Sequence, residues 1–154
     1  MNTFAYLGFA LEEAGRVYLR RFEERTRDFA LEPMGCKALL VLAENEGVTQ
    51  QRLSELTMLD PVAIGRILER LEAEGLVARR PRPGDGRARA VVLTRKAVEM
   101  LPNLWQAVKE SLREALTGMA TTEKRVLMGA LQRVVSNLST RIVDDDVLPA
   151  FKFR

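Results

Sequence analysis

Between Asp60-Pro61 and Gly75 the chain carries a helix whose two ends are both written in the sequence. Asp60 offers an N-cap oxygen, Pro61 has its φ locked for the first helical position, and Gly75 supplies the left-handed residue at which a helix stops. Within it Ile64, Ile67, Leu68 and Leu71 recur at i, i+3, i+4 and i+7, so one face must be covered by a core. The opposite arc holds Pro61, Val62, Gly65, Arg66, Glu69 and Arg70, small and charged side chains left for solvent or for a partner.

Upstream, Thr49 caps a shorter helix, Gln50 to Leu56, with Leu53 and Leu56 turned inward. Downstream, Leu76 to Arg80 and Arg89 to Leu93 are β-compatible runs around Pro81, Pro83, Gly84 and Gly86, which predicts a hairpin with an irregular tip. Short helix, tight turn, capped helix and hairpin, in that order, predict a winged helix-turn-helix. That geometry lays the second helix in the major groove of duplex DNA while the hairpin reaches the flanking backbone or minor groove.

Charge is placed to match. Residues 47–96 carry ten Lys/Arg against six Asp/Glu, a net of +4, whereas the whole chain is +3, so the remainder is −1. Five arginines, Arg79, Arg80, Arg82, Arg87 and Arg89, crowd the hairpin with Asp85 as their single acid. Such a block suits phosphate. Arg66 has the fork geometry for guanine, and Val62 or Pro61 suits a thymine methyl.

The flanks are helical. Leu7, Leu11, Ala14, Tyr18, Phe22 and Phe29 predict one long helix over residues 2–29, and Pro33 opens another that runs to about Asn45 before Gly47. Thr94 caps a helix over about 95–116. After Gly118 a last helix starts at Ala120 or Thr121 and runs to about Val143, with Val126, Leu127, Leu131, Val134, Val135 and Leu138 on its apolar side. The apolar tail Val147 to Phe153 is expected to dock on a partner subunit.

The 154 residues, 47% hydrophobic and 29% charged, make one domain with a real core. No histidine and a single cysteine remove the usual general base and metal ligands, so no catalytic site, metal site or cofactor is expected, and an enzyme is disfavoured. No apolar run approaches the roughly 18 residues of a membrane span, and Met1 to Phe4 lack the basic start of a signal peptide, which predicts a cytoplasmic protein.

Four strings carry a resemblance: Gln51-Arg52-Leu53-Ser54-Glu55-Leu56, Arg66-Ile67-Leu68-Glu69-Arg70-Leu71-Glu72, Gly75-Leu76-Val77-x-Arg79, and Asp85-x-Arg87 followed by Val91-x-Leu93-Thr94. Together they resemble the MarR (multiple-antibiotic-resistance regulator) family. The resemblance implies a mainly α fold with a small β-hairpin wing, in which residues 34–96 form the DNA-binding lobe and residues 1–33 and 97–154 a helical dimerisation region. It further implies a homodimeric repressor on a pseudo-palindromic duplex. The expected DNA contacts are Gln50, Gln51, Pro61, Val62, Gly65, Arg66, Arg70, Arg87 and Arg89, with Arg87 entering the minor groove and Asp85 bracing the wing. Gly86 stands where many members have a second arginine, and Ala97 where a glycine often follows the Leu-Thr pair.

The same resemblance implies a small aromatic acid or coenzyme A thioester as effector. Tyr18, Phe22, Met34 and Trp105 are the candidates to line its cavity, with Arg16 and Arg20 as its charge; core packing and solvated arginines are the competing account. Cys36 is either a redox-responsive thiol, with a pKa lowered near a helix start, or a small buried hydrophobe. A winged helix that binds protein instead of DNA would keep the fold, but has no need of the arginine block.

Overall fold

Side-chain oxygens set three of the helix starts. In the computed structural model, which describes residues 3–82 and 85–138 (the backbone alone at 3–4, 82 and 85–88), the order is α1 (Leu7–Thr26), α2 (Pro33–Glu44), α3 (Gln50–Thr57), α4 (Pro61–Ala73), β1 (Val77–Arg82), β2 (Asp85–Leu93), α5 (Arg95–Ala115) and α6 (Thr121–Leu138). Thr49, Asp60 and Thr94 each accept from backbone N–H groups at the first turn of α3, α4 and α5. Asp60 serves two donors, Val62 N at 3.0 Å and Ala63 N at 2.9 Å, so the first turn of α4 is closed without a ligand.

The long first helix expected over 2–29 is α1 framed by two 3-10 turns, Thr3–Tyr6 and Arg27–Phe29. Its end is made by Ala30, which takes the left-handed conformation at φ 53° and returns its N–H to Arg27 O at 3.1 Å. The strands are longer than the predicted runs: antiparallel pairing goes out from Val77↔Leu93 to Pro81↔Arg89, and the register shifts between Pro81 and Arg82. Pro81 sits at that irregular outer end, where a missing N–H costs least.

The core lies between α2, α4, α5 and the base of the hairpin. Leu39, Leu42, Leu53, Ile64, Leu68 and Leu104 are fully buried, and all four predicted core positions of α4 face inward. Burying side chains of this size stabilises by about 1.5–3 kcal/mol each. The start of α3 is tied to the wing, since Gly47 N donates to Val91 O (3.1 Å), Val91 N donates to Val48 O (2.8 Å), and Thr49 bridges to Ala90. Thr49 therefore closes a short third edge of the sheet and caps α3 at once. Thr94 makes a matching joint on the far side: its hydroxyl donates to Gly75 O at 2.7 Å and its N–H to Leu76 O at 3.0 Å.

The helices outside this core are bare on one side. Of α1 only Phe22 and Thr26 are buried, and α6 buries no residue. Arg25 and Arg21 hold α1 to α5 through Glu114, and Arg25 also reaches Glu110. Val143 and the tail Val147 to Phe153 lie outside the described residues. Among the described residues, no helix is long and apolar enough to cross a membrane, and no cluster of His, Cys, Asp or Glu could hold a metal.

Candidate nucleic-acid interface

Helix α4 presents one exposed arc. Pro61, Val62, Arg66, Glu69 and Arg70 are exposed, Val62 by 64%, while Ile64, Ile67, Leu68 and Leu71 anchor the other side. An apolar side chain held that far out on a capped helix has no packing role within the subunit. Arg66 makes no ion pair or hydrogen bond with another described side chain, so its five N–H donors are available. Arg70 is different: it pairs with Glu32, just before α2, at 2.8 Å.

Gln50 and Gln51 begin α3 beside this arc, with Gln51 exposed and Gln50 half-buried. The closeness that Gly65 permits is toward Gln50, since a methyl group at Gly65 would stand 3.2 Å from Gln50 Nε2. Arg79, on β1, donates to Gln50 Oε1 at 3.3 Å and to Glu72 of α4. One guanidinium thus joins the wing to both helices of the helix-turn-helix. This is where one arginine of the basic block is spent, which spacing alone did not disclose. Arg80 and Arg89 are exposed on the hairpin. Asp85 and Arg87 lie on β2, and their side chains are outside the described set.

The turn between α3 and α4 is tight and slightly strained. Met58 takes φ 58°, a conformation that disfavours side chains, and Ser54 Oγ donates to Leu59 O at 2.6 Å to close it. The crossing of the two helices therefore rests on local hydrogen bonds as well as on Leu53, Leu56 and Ile64 in the core.

The six candidate effector residues do not share one site. Tyr18, Phe22 and Met34 line an apolar cavity of about 120 Å³ with Leu19, Leu40 and Val108, and the Tyr18 and Phe22 rings stack with centroids 6.5 Å apart. Trp105 packs half-buried against the core and does not line it. Arg16 is on the surface, paired with Glu13 at 2.6 Å, and Arg20 faces a separate polar cleft beside Glu23, Glu24 and Arg27. The one charged residue in the cavity wall is Lys37, whose ammonium is pulled below the ordinary lysine value by burial. Its signal was present in the sequence: Lys37 is the sole charge in α2 before Glu44, three residues from both Met34 and Leu40 on the same helical face.

Cys36 is fully buried, and burial pushes its thiol up to about 11. Burial thus acts against the lowering that a helix start would give.

The comparisons with known proteins fall on the same segment. Residues 31–88, from α2 into the wing, match the model of the MarR family. A probable transcriptional regulator from Pseudomonas aeruginosa has a solved structure similar to this chain, at 32% identity and TM-score 0.77, over 82% of this chain and 95% of that one. The HTH-type transcriptional regulator YdgJ of Bacillus subtilis is 29% identical over 101 residues, 66% of this chain; the match spans 62% of YdgJ, under two thirds of its length. A mutant MarR from E. coli, solved in complex with operator DNA, shares the fold at TM-score 0.79 and 24% identity, over 87% of this chain and 96% of that one. With helix-turn-helix, wing and flanking helices in one order and these matches across them, the chain belongs to the MarR family of transcriptional regulators.

Proposed function

We propose that this chain is a homodimeric repressor that binds a pseudo-palindromic duplex and is released from it by a small aromatic ligand. The observation that carries the DNA-binding part is the exposed arc of α4, where Arg66 and Val62 stand clear of the subunit's own packing, in a lobe whose hairpin also exposes Arg80 and Arg89. Pro61, Val62 and Arg66 read base edges, Gln50 and Gln51 meet the backbone beside them, and Arg89 with Arg87 serves the wing. Residues 34–96 form the DNA-binding lobe, while residues 1–33 and 97–154 pair two copies. Half-sites then lie about one helical turn, roughly 10 bp, apart, and a dimer seated there would block a promoter by occupancy.

The effector part rests on the cavity at Tyr18, Phe22 and Met34. An aromatic acid would place its ring there and its carboxylate toward Lys37, which replaces Arg16 and Arg20 as the source of charge; a coenzyme A thioester would insert only its acyl end. Release has a route, because Pro33, Met34 and Lys37 of the cavity wall follow directly on Glu32, and Glu32 holds Arg70 of the recognition helix. Arg70 cannot satisfy Glu32 and a phosphate at once.

Selection of duplexes from a random pool, followed by anisotropy on the selected and a scrambled duplex, tests the reading. A symmetric preferred sequence, released by an aromatic carboxylate, is the expected result. Equal affinity for both duplexes would overturn the recognition role given to α4.

A further inference from the structure

We propose that Lys37 is a reactive amine that captures aromatic aldehydes as a reversible imine in the cavity it shares with Tyr18, Phe22 and Met34. The wall around it is otherwise apolar, formed by Tyr18, Leu19, Phe22, Met34, Leu40 and Val108 with Pro33. Among the described residues no carboxylate pairs with Lys37 and no hydrogen bond holds it, in a chain where the surface lysine Lys96 is bound to a carbonyl oxygen, Glu74 O at 2.7 Å. An ammonium without a counter-ion in such a wall is poorly solvated, and its neutral, nucleophilic form gains at its expense. Burial lowers its pKa accordingly.

The chemistry balances without a further reagent. The lone pair of neutral Nζ attacks the aldehyde carbon, a C–N bond forms, and the C=O π pair moves to oxygen. Nitrogen gives up its two protons, oxygen takes both and leaves as water, and the C=N bond remains. Apolar walls favour this loss of water, and the stacked Tyr18–Phe22 pair offers a face for the ring of the aldehyde. A ligand lacking an aromatic ring would forgo that contact. The inference rests on the reading above only in that the cavity admits a ligand.

The test uses the whole protein with benzaldehyde and cyanoborohydride at neutral pH, followed by peptide mass mapping. One benzyl group on Lys37, gained several-fold faster than on Lys96, Lys109 or Lys124, and suppressed by added benzoate, is the expected result. Labelling spread evenly over the lysines, or absent from Lys37, overturns the proposal. The wild-type map needs no variant to fold; Lys37→Arg, which cannot form the imine, should lose this label while Lys96, Lys109 and Lys124 label as before. If benzoate still binds in the cavity while no imine is trapped, the aldehyde proposal fails and the effector reading stands.

Discussion

Arg66 and Cys36 are both single residues whose sequence context permitted two roles, and burial separates them. Arg66 is exposed with no partner among the described residues, so its truncation should cost the folded subunit little, and the proposed DNA contact is what it tests. Arg66→Ala should weaken binding to the preferred duplex by about 1–3 kcal/mol and relax selectivity at one position per half-site, with much less loss on scrambled DNA. Anisotropy on both duplexes checks this; equal losses would make Arg66 a phosphate contact. Cys36 is the opposite case. Its thiol ionises at about 11 when folded, against an ordinary 9.0, so the folded state holds the proton that the unfolded chain gives up. Its contribution is intact below pH 9 and is lost as pH rises past 11, on the order of 3 kcal/mol in all. Urea unfolding of the parent and of Cys36→Ala should therefore diverge in slope above pH 9 and run parallel at neutral pH. At neutral pH the buried thiol should also resist peroxide and alkylation; oxidation of Cys36 by peroxide there would restore the redox account.

At the scale of elements, α4 is a helix whose start is fully satisfied and whose preceding turn is not relaxed. Losing the carboxylate in Asp60→Ala strands Val62 N and Ala63 N, at a cost of about 1 kcal/mol and a melting temperature lower by roughly 2–4 °C. Met58 is 42% exposed and held at positive φ, so Met58→Gly removes strain and little packing. It should raise stability by about 0.5–1 kcal/mol, less than the full left-handed penalty because glycine also loosens the unfolded chain. Calorimetry on the two variants should move in opposite directions. A destabilised Met58→Gly would mean that the side chain packs on something beyond the subunit. The wing belongs to the same element group, because Thr49, Ala90 and Arg79 fasten it to α3 and α4.

For the whole molecule the decisive surface is the one left uncovered. Along α1, Leu7, Phe9, Val17 and Leu19 are exposed, Phe9 by 73%, and on α6 Val126 and Leu138 are exposed by 71% and 78%. Apolar area of this extent on long helices is ordinarily met by another chain. Sedimentation at micromolar concentration should give one species of twice the 17.3 kDa chain mass. A folded monomer under those conditions would contradict the dimer and, with it, the paired half-sites.

What the sequence determined by itself is local and periodic. The starts of α3, α4 and α5 follow from Thr49, Asp60 and Thr94, the core face of α4 from the spacing of Ile64 to Leu71, and the hairpin from its prolines and glycines. Each depends on neighbours within a turn or two of chain, so each is legible without the rest. The third edge of the sheet at Thr49, the grip of Arg79 on Gln50 and Glu72, the pairing of Arg70 with Glu32, and the division of Arg16, Arg20 and Trp105 away from Tyr18, Phe22 and Met34 were decided only in three dimensions. These join residues on different elements, and which of several arginines meets a given acid depends on how the helices cross. Charge is long-ranged and unspecific along a sequence; hydrogen-bond reach is about 3 Å, and only the packed fold brings particular groups within it.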